Sequence, residues 1–71
     1  MSRFYARSAS DKTDDWPLWF VADERKGGLN VTAPLIRQHL DPDHRGGIFL
    51  SDWEAVKLAG RANRAAESAQ P

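Results

Sequence analysis

The sequence predicts an α+β domain, a small three- to four-stranded antiparallel sheet covered on one face by two helices in the order β-β-β-α-β-α. Arg3 to Ser8 sets Arg3, Tyr5 and Arg7 against Phe4, Ala6 and Ser8, a period of two that suits a half-buried strand. Leu18 to Ala22 is a short aromatic and apolar run that ends in charged residues and glycines, as a well-packed strand and its hairpin would. Ser51 to Ser68 opens with capping-box spacing and continues as an alanine stripe at helical period.

The strands follow from local chemistry. Ala9 to Asp15 is polar and rich in turn formers, which predicts a loop, and Pro17 permits an edge strand to begin after it. Leu18-Trp19-Phe20-Val21-Ala22 is too short for a helix and apolar on both sides of the pleat, so it reads as a strand packed on both faces. Asp23-Glu24-Arg25-Lys26-Gly27-Gly28 suits a hairpin loop whose glycines take positive φ, with Leu29-Asn30-Val31 as the returning strand. Ile48-Phe49-Leu50 reads as a further three-residue strand.

Thr32 is the expected cap of the first helix, accepting a hydrogen bond from a free backbone N–H, and Pro34 fits a first turn where its missing N–H costs nothing. Leu35, Ile36, His39 and Leu40 form its apolar side. Pro42 holds Asp41 extended, so this helix stops near Leu40 and a turn fills Asp41 to Gly47. In the second helix, Ser51 and Glu54 are expected to satisfy each other's backbone donors. Ala55, Leu58, Ala59, Ala62 and Ala66 form its buried stripe, and Lys57, Arg61 and Arg64 an adjoining basic face. Residues 69–71 read as a frayed tail to a single domain spanning 1–71.

Composition narrows the function classes. The chain has 71 residues, no cysteine, and ten basic against ten acidic side chains. A domain of this size has a thin core, with no disulfide framework or thiolate zinc site to staple it. Without a signal-peptide pattern or a run of about 20 apolar residues, the expected place is the cytoplasm and no membrane partner is implied. Zero formal charge argues against non-specific nucleic-acid binding.

Motifs for chemistry are few. Asp41-Pro42-Asp43-His44-Arg45-Gly46-Gly47-Ile48-Phe49-Leu50-Ser51-Asp52 resembles an EF-hand calcium loop, with acidic residues at its first, third and twelfth positions and glycine at its sixth. That resemblance implies Asp41, Asp43 and Asp52 as ligands. Arg45 stands where an oxygen ligand belongs, and Asp52 is shorter than the usual bidentate glutamate, so turn chemistry is the favoured reading and no metal is assigned. His39 and His44 straddle a helix end and share no face on which to hold a transition metal. Neither a glycine-flanked nucleophile nor a phosphate loop with its lysine is present, so no catalytic residue or cofactor is assigned.

The aromatic load carries more. Three tryptophans, three phenylalanines and a tyrosine are heavy for this length. Phe4, Phe20 and Phe49 are assigned to the core. Alternation along a strand cannot hide Trp19 and Phe20 on one face, so one of the two looks outward. With Trp19 outward, Arg3, Tyr5, Arg7, Trp16 and Trp19 form an aromatic and arginine patch of the composition enriched at binding hot spots.

Arg3-Phe4-Tyr5-Ala6-Arg7-Ser8, Trp16-Pro17-Leu18-Trp19-Phe20-Val21-Ala22-Asp23 and Gly27-Gly28-Leu29-Asn30-Val31-Thr32 resemble in style the short proteins of phages and prophages, among them the CRISPR inhibitors called anti-CRISPRs. The resemblance implies stoichiometric binding to a protein surface, such as a Cas subunit in the host cytoplasm, that blocks DNA recognition or cleavage. It carries no residue roles. The expected function is therefore that of a non-enzymatic protein-binding module. The alternatives are a nucleic-acid accessory protein using Lys57, Arg61 and Arg64, and a degenerate calcium module. An exposed aromatic face also suits a homodimer, in which a second copy covers it.

Overall fold

A five-residue strand, β1 (Phe4–Ser8), pairs antiparallel with β2 (Trp19–Asp23), and β2 pairs in turn with the two-residue β3 (Leu29–Asn30). Helices α1 (Thr32–His39) and α2 (Asp52–Ser68) follow, giving the order β-β-β-α-α. The computed structural model describes residues 2–9 and 18–68, so most of the loop expected before β2, the Pro17 strand start and the tail at 69–71 lie outside the described residues. The fold is α+β, a three-stranded antiparallel sheet packed against two helices.

β2 is the central strand, and Val21 and Ala22 are fully buried, but the expected packing on both faces does not extend to Phe20, which is only half-buried. The turn that follows is a hairpin held by Asp23, whose carboxylate accepts the Arg25 N–H at 3.0 Å. Gly27 and Gly28 sit at φ 68° and 85°, the left-handed backbone that a side chain would oppose.

The expected fourth strand is reduced to one residue. β3 ends at Asn30 because the chain turns into α1, and this leaves the edge of β2 beside Trp19 open. Leu50 fills that place, exchanging backbone hydrogen bonds with Trp19 at 2.9 and 2.7 Å. Ile48 stays off the ladder and is tied to β3 by the Asn30 side chain, whose amide donates to the Ile48 carbonyl at 3.2 Å.

Both helix starts differ from expectation in chemistry rather than in place. The fully buried Thr32 hydroxyl accepts the Val21 N–H at 2.9 Å, replacing the ladder partner that β3 gives up by turning away. Val31 is the N-cap and makes no side-chain cap, while Asn30 before it closes a turn, its side-chain oxygen accepting the Thr32 N–H at 3.0 Å. α2 begins after Ser51 as its capping box implied, but the Ser51 hydroxyl donates to the Glu54 carboxylate at 2.7 Å instead of each closing on the other's backbone. α1 stops at His39, three residues before Pro42, with Leu40 as its cap residue.

The core lies between the sheet and the helices. Phe4 and Val21 from the sheet meet Val31, Leu35 and Ile36 around α1 and Ala55, Leu58, Ala59 and Ala62 of α2. The alanine stripe buries little area per residue, but its short side chains let α2 lie close on β1 and β2. Leu40 was expected on the apolar side of α1, yet it caps the helix end and remains 57% exposed.

Asn63 ties α2 to the sheet edge, a role with no forewarning in the sequence. Its amide oxygen accepts the Phe4 N–H at 2.8 Å and its amide nitrogen donates to the Phe4 carbonyl at 2.9 Å. A side chain thus takes the place of a neighbouring strand at one end of the edge strand β1. Asn63→Ala removes both partners of a half-buried backbone pair, and urea unfolding should show a loss of about 1–3 kcal/mol.

Candidate functional site

Strand register decides which side chains face away from the helices. Phe4, Ala6 and Ser8 stand opposite Asp23, Val21 and Trp19, and this row lies under the helices, where Ala6 and Trp19 pack against the core. Tyr5 and Arg7 stand opposite Ala22 and Phe20 on the other face. The outward aromatic of β2 is therefore Phe20, and Trp19 is the covered one. Alternation left that choice open; the edge place that Leu50 takes beside Trp19 accompanies Trp19's position on the helix side.

The same parity moves Phe49. Leu50 packs toward the core beside Trp19, so the preceding Phe49 falls on the open face, where it meets Phe20 edge to face with ring centroids 6.4 Å apart. The expectation that Phe20 and Phe49 belong to the helix-side core is corrected: Phe20 is half-buried and Phe49 is 41% exposed. Of the phenylalanines assigned to the core, Phe4 alone is there.

Tyr5 and Arg7 extend this surface toward the hairpin. A Cβ added to Gly28 would stand 3.3 Å from the Tyr5 hydroxyl and 3.6 Å from an Arg7 guanidinium nitrogen, so both side chains reach across β2 as far as Gly28. Ala22, opposite Tyr5, is fully buried without joining the helix-side core, which fits a tyrosine lying over it. The open face thus reads Tyr5, Arg7, Phe20 and Phe49, two of the sequence-derived site residues with two that were assigned elsewhere. Trp16 lies outside the described residues.

Arg3 departs from the patch. Its guanidinium donates twice to the Asp23 carboxylate, at 3.1 and 2.9 Å, and its charged end lies 4.8 Å over the Phe4 ring. Asp23, expected to begin a solvated loop, is 1% exposed at the end of β2. Hydrogen bonding from Arg3 holds its carboxyl below the usual carboxylate range, against a desolvation that pushes the other way, with help from the Arg25 N–H and the charges of Arg3 and Lys26. Arg3 and Asp23 also border a cleft of about 300 Å³ between α1 and the far half of α2, where their charges are already spent on each other.

The remaining assigned groups fall into separate places. Lys57, Arg61 and Arg64 are exposed along α2, with the Lys57 ammonium 5.7 Å over the Trp53 ring. Asp41 is engaged by its own turn, its carboxylate accepting the Asp43 N–H at 3.0 Å, while Asp52 accepts the Trp53 N–H at 2.7 Å at the start of α2. Among the described residues no three His, Asp or Glu side chains gather as a metal ion would require, so the Asp41, Asp43 and Asp52 set is not brought together. No described helix is long and apolar enough to cross a membrane.

Comparison of the chain with protein-family models, with curated proteins and with solved structures found no match.

Because the folded Asp23 titrates below its unfolded value of about 3.9, its contribution is present at neutral pH and lost as pH falls through that range. Asp23→Asn should be less stable than the parent at pH 7. The gap between the two, followed by urea unfolding, should narrow between about pH 5 and about pH 2.

Proposed function

We propose that this chain is a non-enzymatic protein-binding domain whose contact surface is the sheet face turned away from the helices. The observation that carries the reading is the Phe20 and Phe49 pair, placed outside the helix-side core and continuous with Tyr5 and Arg7. Tyr5 is 38% exposed and Phe49 41%, so apolar ring surface stands in water on this face. Tyrosine, arginine and large aromatic rings are the side chains that concentrate binding energy when a partner excludes water from them.

The shape favours a macromolecule. A pleated strand surface offers rings side by side and no enclosing walls, whereas small ligands are held in concave pockets that bury most of their area. Arg7 adds a planar donor among the rings, suited to a carboxylate or a carbonyl on the opposing surface. The resemblance to small phage inhibitors gives the reading its most specific form: stoichiometric covering of a surface on a bacterial Cas complex, so that DNA is not recognised or not cut.

The test is affinity capture from lysates of bacteria that carry CRISPR-Cas systems, using the wild type beside Tyr5→Ala and Arg7→Glu, with circular dichroism confirming that each variant folds. The wild type should retain a Cas subunit in stoichiometric amount, and each variant should bind it at least about tenfold more weakly. Capture of no Cas subunit would remove the specific form of the proposal. A partner held equally well by the folded variants would remove the open face.

A further inference from the structure

A second surface lies on the helix side of the sheet. Leu40 at the end of α1, Leu50 at the sheet edge and Trp53 and Leu58 of α2 line an apolar hollow of about 160 Å³, with Lys57 and Arg61 at its rim. Trp53 is 64% exposed, and with Lys57 and Arg61 it forms one row at four-residue spacing along α2. None of these residues belongs to the open face described above, and Leu50 and Leu58 pack toward the core from the opposite side of β2.

We propose that this hollow is a docking site for an acidic peptide segment that carries one aliphatic anchor. The apolar floor fits a single side chain of leucine or isoleucine size, and exposed apolar surface at its wall is what such an anchor would cover. Charge sets the rest of the partner. Among the described residues Lys57 and Arg61 stand exposed at the rim against one acid, Glu54, whose carboxylate also accepts the Ser51 hydroxyl at 2.7 Å, so the rim is net positive. Carboxylates on the segment flanking the anchor would meet both cations, and such pairs set orientation and specificity.

A nucleic acid fits this place less well. A stacking base would compete with the Lys57 ammonium, which lies 5.7 Å over the Trp53 ring. An aliphatic hollow offers nothing that a base or a phosphate requires.

The test is amide and indole chemical-shift mapping on the whole chain with synthetic acidic amphipathic peptides bearing a leucine or isoleucine anchor, beside a lysine-for-glutamate control peptide and a single-stranded thymidine oligonucleotide. At least one acidic peptide should shift the Trp53 indole and the Lys57, Leu58 and Arg61 amides saturably, with Kd below about 1 mM. Trp53→Ala and the Lys57→Glu, Arg61→Glu pair, all at exposed positions, should each weaken that binding about tenfold with the fold intact. Tyr5→Ala should leave it unchanged, which separates this site from the open face. The proposal is overturned if no acidic peptide binds, if the shifts map elsewhere, if the control peptide binds equally, or if only the oligonucleotide shifts the patch. Concentration-dependent shifts at Trp53 without any peptide, the sign of a second copy in the hollow, would overturn it as well.

Discussion

The alternation of side chains along β2 is the constraint on which the rest of the molecule depends. Five residues must serve two environments, and their order assigns Trp19, Val21 and Asp23 to the helices and Phe20 and Ala22 to the other face. A slip of one residue would bury Phe20 and turn Trp19, Val21 and Asp23 to water, breaking the core and the Arg3 ion pair together. The register is therefore pinned at several points, each by a different group: Arg3 and Asp23 at one end, Asn63 on the β1 edge, and Thr32 and Leu50 on the edge that β3 leaves unfinished.

A thin core makes these polar fastenings matter. The helix-side core among the described residues is nine side chains, Phe4, five larger aliphatics and three alanines, so apolar burial supplies less than it would in a larger domain. Thr32 and Asp23 are both buried and both have hydrogen-bond partners, and no buried side-chain nitrogen or oxygen among the described residues lacks one. Satisfied polar groups of this kind fix one arrangement of strands and helices where hydrophobic contact alone would tolerate several.

Much of this was legible in the sequence. The period of two in Arg3 to Ser8, the apolar run in β2, the glycine turn and the alanine stripe of α2 each report a local environment, and local environments leave periodic marks. Pairings between distant residues leave none. Nothing near Asn63 announces that its amide meets Phe4, and nothing near Asp23 distinguishes a buried ion pair from a solvated loop start. The candidate face was half legible for the same reason: Tyr5 and Arg7 follow from their own strand, whereas Phe49 reaches Phe20 only because Leu50 returns to the edge of β2. Arg3 shares the strand period of Tyr5 and Arg7 but precedes β1 itself, where its long side chain is free to turn to Asp23.

Which face of β2 is open decides how the strand serves its two environments, and nuclear Overhauser contacts from assigned aromatic protons read that directly. Phe20 ring protons should show cross-peaks to the Phe49 ring, while the Trp19 indole shows them to side chains of the helix-covered core. Cross-peaks from Phe20 to Leu35, Ile36 or Leu58, with the Trp19 indole against Tyr5 or Arg7, would contradict it.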